Sequence, residues 1–345
     1  MTPAAVFRPA WAAWRRDSAV PLLGALLLLA LPPLAGLAGE PFLVSSFTRI
    51  LVYGLAAVSL DLILGYGGMV SFGHAAFFGV GAYAAGMLTH HAWQGDLPAL
   101  FGGPLAALPV WGLAILAAAL TAAVIGAMSL RTGGVYFIMI TLAFAQMLFF
   151  LATSLEGYGG ADGLLLPARN AVPGIDVTAD IPFYYLCLGL LVLFLLLCRR
   201  IVDSRFGLVI RGARQNRRRM TALGYPVWRY RLACFTIAGA GAGLAGALAA
   251  NHATYVSPDL LHWSSSGEIM AMVILGGMGT LYGPVLGAAA FLLLSEFLPL
   301  LLEAAGFTGM KEHWRLLFGP LLVLVVLYGR GGLYGLLAGR RASRG

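Results

Sequence analysis

The sequence predicts an all-α integral membrane protein with about ten transmembrane segments, some broken or re-entrant, and with both termini cytoplasmic. Three observations predict it. The 345-residue chain is 60% hydrophobic and only 10% charged, whereas a soluble domain is about a quarter charged. Its apolar residues gather into runs near the roughly 20 residues that cross a bilayer as a helix. Its arginines lie between those runs, as in cytoplasmic loops under the positive-inside rule.

Hydropathy, with glycine and proline as punctuation, places the segments at about 19–38, 47–64, 70–91, 104–128, 134–153, 182–198, 230–250, 266–282, 284–303 and 314–329. Residues 1–18 read as a cytoplasmic N-terminal segment, 19–329 as the membrane domain with a cytoplasmic loop over 199–229, and 330–345 as a basic tail. Arg15 and Arg16 precede the apolar run Val20–Leu31, with small residues near Ala38. In a chain with many later runs this reads as an uncleaved first helix rather than a signal peptide.

Orientation follows from charge. Arg8, Arg15 and Arg16 hold the N-terminus inside, and Arg330, Arg340, Arg341 and Arg344 hold the C-terminus inside. Between them, residues 199–231 carry ten arginines and one acid, Asp203. Six runs precede this basic loop and four follow it, so the parity closes. The loop 154–181 then faces the periplasm, with Glu156, Asp162, Asp176 and Asp180 against the single Arg169. The net charge of +8 is almost all arginine, with Lys311 the lone lysine. Because that charge lies between hydrophobic runs, it excludes a nucleic-acid partner and points to a lipid bilayer.

Two stretches are not plain apolar helices. One is Gly65-Tyr66-Gly67-Gly68-Met69-Val70-Ser71-Phe72-Gly73-His74, the other Gly276-Gly277-Met278-Gly279-Thr280-Leu281-Tyr282-Gly283-Pro284. Both carry Gly-Gly-Met, then a hydroxyl residue, a large apolar residue and a glycine, which hints at an internal repeat. Two readings stand for them: close helix packing, or broken backbone lining a cavity. For Gly239–Gly246 packing is the better reading.

A catalytic constellation is missing. There is no His-Glu-x-x-His and no Gly-x-Ser-x-Gly, and Lys311 is followed by Glu312 where a phosphate-cradling loop needs Ser or Thr. The chain reads as a non-enzyme, with no cofactor and no metal site. Cys187, Cys198 and Cys234 read as small apolar residues. Among polar groups in the runs, Ser71 and His74 are spaced to share a helix face, with His74 a packed histidine before a substrate contact. Asp61 lies near the inner end of its run and reads as reaching the interface. Glu268 and Glu296 are few and dispersed for a proton relay. Thr141 precedes Gln146, whose amide reads as bonding across helices or lining a pathway. Gly67, Gly68, Ser71, His74, Thr141, Gln146, Gly276, Gly277 and Gly279 are therefore candidates either for a pathway lining or for plain packing.

In the basic loop, Asp203 or Ser204 suits a helix N-cap, and Gly224 with Pro226 ends the helix near Leu223. Such a loop either lies on anionic headgroups or docks as a short helix on a motor protein. Composition leaves an ATP-driven permease and an ion-coupled carrier open, with an intramembrane enzyme third.

Five stretches, in order over about residues 45–330, resemble the branched-chain amino acid permeases, in particular their LivM-like branch. They are Asp61–Tyr83, Gly134–Gln146, Gly159–Leu164, Ser204–Tyr225 and Leu275–Ala288. The family usually has acids at the positions of Gln215 and Arg217, so this loop is unusually basic. The resemblance implies a multi-pass permease subunit of an ATP-binding-cassette importer in a bacterial inner membrane. It implies a second homologous permease, two cytoplasmic ATPase subunits and a periplasmic substrate-binding protein as partners. It implies that the loop couples to the ATPases through a helix at about 204–224, with Ser204, Phe206, Gly207, Arg211, Arg214, Asn216, Arg218, Leu223 and Gly224 as the coupling residues. It implies a branched-chain or related hydrophobic amino acid as substrate; urea, short amides and aromatic acids are the alternatives within the class.

Overall fold

The computed structural model describes residues 19–38, 41–95, 106–304 and 331–337, with isolated positions between. In chain order the helices are α1 (Ala19–Ala38), α2 (Pro41–Asp61), α3 (His74–Gln94), α4 (Ala107–Ser129), α5 (Val135–Ser154), α6 (Asp180–Asp203), α7 (Arg205–Gln215), α8 (Arg217–Ala222), α9 (Val227–Ala253), α10 (Trp263–Gly276), α11 (Gly283–Ala304) and α12 (Gly332–Leu337). Two short strands, β1 (Leu164–Leu165) and β2 (Tyr255–Val256), pair antiparallel with Leu164 opposite Val256. The fold is an all-α, multi-pass membrane bundle. Among the described residues, five helices are long and apolar enough to cross a bilayer: Phe42–Tyr66, Ala107–Ser129, Val135–Ser154, Asp180–Asp203 and Val227–Ala253. Most of the expected run 314–329 lies outside the described residues, as do the N-terminal segment 1–18 and most of the basic tail.

The centre of the bundle is built on α2 and α9. Helix α9 packs along α2, α3 and α4, and α2 also contacts α6, α10 and α11. What permits such close approach is the glycine run of α9. A Cβ on Gly239 or Gly243 would collide with the Cβ of Ala122 or Ala118 in α4, and one on Gly246 with the carbonyl oxygen of Phe78 in α3. Gly81 of α3 abuts the backbone of Gly243 in the same way. The packing reading of 239–246 is thus the observed one: small residues bring backbones into van der Waals contact where lipid offers no hydrophobic gain between helices. Cys187, Cys198 and Cys234 are buried free thiols.

The periphery has the opposite character. Only 22% of the apolar window of α5 is buried, and Val135, Tyr136, Met139, Met147, Phe150 and Leu151 point outward. In water such a face would drive aggregation; in a bilayer it is the solvent-exposed surface.

Charge separates between the two ends. Helix α6 begins at the acidic loop and delivers the chain, about 36 Å away at 1.5 Å per residue, to the arginine-rich stretch; α9 returns it. The acidic loop is tied down by its own polar side chains. Arg169 donates to Asp180 at 2.7 Å and lies over the Phe183 ring at 4.8 Å. The Thr178 hydroxyl and amide both donate to Asp176 and hold its carboxyl below the usual carboxylate range.

Beneath that loop lies a buried amide cluster. Asn170 Nδ2 donates to Thr89 Oγ1 at 2.8 Å, its backbone N–H to Asn251 Oδ1 at 2.7 Å, and its Oδ1 accepts from Asn251 Nδ2 at 2.9 Å and Trp111 Nε1 at 3.3 Å. One side chain thus ties the loop to α3, α4 and α9. Asn170→Leu leaves three buried partners short of a bond, each costing about 1–3 kcal/mol. The expected result is a melting temperature lowered by at least about 5 °C, read by fluorescence-detected thermal unfolding in mild detergent. An unchanged midpoint counts against the cluster as a clamp.

Candidate functional site

Both Gly-Gly-Met stretches are breaks in helices, and they meet. The first begins where α2 loosens into a π-helical turn at Leu62–Tyr66, a feature common at functional positions. Residues 67–73 then run without helix until His74 opens α3. Gly68 has φ +64° and Met69 N–H returns to the Ile63 carbonyl at 2.8 Å. The second break separates α10 from α11: Gly277 has φ +117° and Gly279 φ +75°, values at which a side chain is strained. The expected apolar run 266–282 therefore ends at Gly276. Helix α10 has 14 residues, about 21 Å, less than the hydrocarbon thickness of about 30 Å.

Asp61 joins the two breaks. Its side chain is 2% exposed and its Oδ1 accepts from the backbone N–H of Gly279 at 2.8 Å. The expectation that Asp61 reaches the membrane interface is corrected: it is held inside by a partner 218 residues away in sequence. Gly65 is wedged between that carboxylate and the Gly279 amide, with no room for a Cβ. The third member is Arg214 of α7. Its Nη1 donates to the Gly65 carbonyl, and its aliphatic stem covers Gly68. One arginine of the basic stretch thus inserts between the two glycine breaks, beside the Asp61 carboxylate.

The basic stretch differs from the single helix expected over 204–224. Ser204 is the N-cap, its Oγ accepting from Gly207 N–H at 3.4 Å, but α7 ends at Gln215. Asn216 leaves the helical region and caps a second helix, accepting from Arg219 N–H at 3.0 Å. A side chain that caps well is a poor helix interior, which is why the helix divides here. Helix α7 packs on α6 and α9, with Gly207 tight against the Val202 carbonyl, Phe206 against Tyr230, and Arg211 Nη2 donating to that Val202 carbonyl at 3.1 Å. In helix α8, Arg217, Arg218 and Arg219 are exposed, as are Leu223 and Gly224 beyond it, while Met220 turns back onto Gly212 of α7. The two halves of the stretch present different chemistry: α7 is docked on the bundle, α8 projects from it.

The other predicted residues divide. Ser71 and His74 do not share a helix face, because Ser71 sits in the unwound stretch and accepts from Gly73 N–H at 3.2 Å. His74 is fully buried, with Nε2 2.8 Å from the Ser59 hydroxyl and its ring edge-on to Phe77. Thr141 is buried against Gly73, so α5 touches the first break there. Gln146 is half-buried and makes no side-chain hydrogen bond among the described residues, so the expected cross-helix bond is not formed. Gly67 packs on the Ile63 carbonyl, Gly276 on Gly283, and Gly277 on Gly331 before α12.

Sequence reasoning missed Arg49. It lies in the first third of the apolar span Phe42–Tyr66 and pairs with Glu296 of α11 at 3.5 Å. A charge at the centre of a membrane helix costs about 2.5–3.5 kcal/mol on insertion scales, and less toward its ends. That cost is the signal that would have singled it out; averaging over the run hid it.

The family model for the permease component of branched-chain amino acid transport systems matches residues 42–326. The chain is similar to the high-affinity branched-chain amino acid transport system permease protein LivM of Escherichia coli K12, 27% identical over 337 residues, covering 89% of this chain and 74% of that protein. The protein of the same name in Salmonella typhimurium LT2 is 26% identical, covering 85% and 71%. A probable branched-chain amino acid transport permease protein LivM of Methanocaldococcus jannaschii is 24% identical, covering 82% and 90%. No solved structure matches. With breaks, basic stretch and acidic loop all inside the matched span, the chain belongs to the branched-chain amino acid permease family, as the membrane-crossing permease component of an ABC-type importer and not its ATPase.

Proposed function

We propose that this permease moves a branched-chain or related hydrophobic amino acid inward, driven by ATPase subunits that bind the arginine-rich end. The observation that carries the coupling part is the division of the basic stretch. Helix α8 presents Arg217, Arg218 and Arg219 to solvent, a surface suited to an acidic cleft. Helix α7 sends Arg214 to the carbonyl of Gly65. A pull on α8 is thereby delivered to both helix breaks through Asn216, α7 and Arg214. In this reading the arginine-rich end faces the cytoplasm and the Asn170 loop faces the periplasm, where a binding protein hands over substrate. A second homologous permease completes the membrane unit. The substrate assignment rests on the family and its relatives.

The test is co-expression with neighbouring genes, extraction in mild detergent and identification of what co-purifies. Two ATPase subunits, a second permease, and ATPase activity stimulated by one loaded binding protein are the expected result. A lone subunit active on an ion gradient alone overturns it. Arg218→Glu with Arg219→Glu is expected to cut ATPase co-purification at least tenfold, and raised salt weakens the wild-type contact in the same direction. An ion-coupled carrier is favoured by one observation, the ion pair of Arg49 and Glu296 between two apolar helices. Uptake that survives collapse of the proton gradient while ATP remains separates the two.

A further inference from the structure

Helix α2 is central, with 83% of its apolar window buried, yet one stripe of it is open. Phe42, Ser45, Arg49 and Tyr53 recur at spacings of three and four, the period of a single helix face, and each is exposed or half-buried. Arg49 stands about 10 Å from Phe42 along the helix and about 25 Å from Tyr66. Its side chain is 47% exposed and its partner Glu296 is 23% exposed. Its guanidinium lies 5.8 Å from the centre of the Tyr53 ring. The Tyr53 phenol also feels the charge of Glu268 of α10, which is exposed. Helices α2 and α11 thus bring a cation, a carboxylate and a phenol together on a partly open face, with a second carboxylate on α10 within electrostatic range.

Such a face cannot meet lipid, because charged side chains in the hydrocarbon region turn to water, to protein or to a polar ligand. The pair itself is not clamped: 3.5 Å exceeds the roughly 2.7–2.9 Å of a charge-assisted hydrogen bond, so either member can take another partner. We infer that Arg49, Tyr53, Glu268 and Glu296 form a binding site for the charged head of a zwitterionic α-amino acid, with Arg49 taking the carboxylate and the two glutamates the ammonium. The guanidinium fork matches a carboxylate with two parallel donors, and two carboxylates match the several donors of an ammonium. The site discriminates a zwitterion from an amine or an acid of the same shape, because either leaves one of the site's charges without its counterpart. The inference rests on the reading that this permease moves an amino acid, and it places the substrate's charged groups away from the glycine breaks.

The test is saturation-transfer NMR on the purified transporter without its binding protein, using leucine at millimolar concentration. The analogues are isoamylamine, which lacks the carboxylate, and 4-methylpentanoate, which lacks the ammonium. Leucine is expected to bind at least tenfold better than either. Arg49→Gln loses leucine binding at least tenfold while the complex keeps its subunits, and Arg49→Lys retains an intermediate affinity. Glu268→Gln with Glu296→Gln loses the preference for leucine over 4-methylpentanoate. Leucine binding unchanged in Arg49→Gln overturns the site. So does wild-type behaviour in the charge exchange Arg49→Glu with Glu296→Arg, which marks a structural ion pair, or loss of the second permease from Arg49→Gln, which marks an interface charge. Leucine bound as expected in a transporter that needs no ATP would sink the importer reading and leave the site standing. ATP-driven uptake of an uncharged amide with no leucine binding does the reverse.

Discussion

Arg214→Glu is expected to reduce uptake at least tenfold while the ATPase subunits still co-purify with the permease. The residue is exposed, as the arginines of α8 are, but its side chain turns back onto the bundle. Its stem lies on Gly68, its Nη1 donates to the Gly65 carbonyl, and it stands beside Asp61, which holds the Gly279 amide. A glutamate there removes the donor and sets a second carboxylate beside the first, leaving Gly65 with an unmet acceptor. Transmission fails; docking survives. Arg214→Lys, which keeps the charge but loses the planar fork, falls between. Uptake, ATPase rate and subunit stoichiometry measured on one preparation decide it. Loss of the ATPases from Arg214→Glu, or uptake within twofold of wild type, shows that Arg214 is not the link.

Gly246→Val is expected to abolish the folded bundle. At Gly246 a Cβ meets the carbonyl oxygen of Phe78, and the neighbouring contacts are also backbone. Ordinary overpacking costs about 1–3 kcal/mol when side chains can give way. Here the obstacle is two helix axes, so α3 and α9 must separate, and the contacts of Gly81 with Gly243 open with them. Size-exclusion chromatography with fluorescence detection reads the outcome: aggregate or no product, against a monodisperse wild type. Gly112→Ala in α4 is the control, since nothing lies within 4 Å of its Cβ and the helix gains slightly from losing a glycine. A well-folded Gly246→Val protein would mean the crossing is looser than drawn.

What was legible in the sequence follows from what is local. The apolar runs, the segregation of arginine from acid, the Ser204 cap and the packing glycines of α9 each depend on residues a few positions apart. Asn216 was a cap signal of the same kind, obscured by arginines on both sides that suit one helix. The meeting of Asp61 with Gly279 was not legible, because it joins positions 218 apart and depends on how two broken helices pack. Gly-Gly-Met appearing twice left broken backbone and plain packing both open, and gave no sign of the contact between the two stretches. Thr89, Asn170 and Asn251 are ordinary polar residues until α3, α9 and the acidic loop converge on them.

The contrast between the glycine crossings and the outer helices sets how this fold drifts over evolutionary time. At Gly81 and Gly246 the neighbour is main chain, which no mutation elsewhere can shrink, so a second-site change cannot rescue a larger residue. Along α5 the requirement is only solubility in hydrocarbon, which Leu, Met, Phe and Val meet equally. Two homologues can therefore exchange most of their lipid-facing residues without consulting the rest of the molecule. Variation among relatives is expected to concentrate on α5 and the outer faces of α4 and α6, and to spare the glycine crossings.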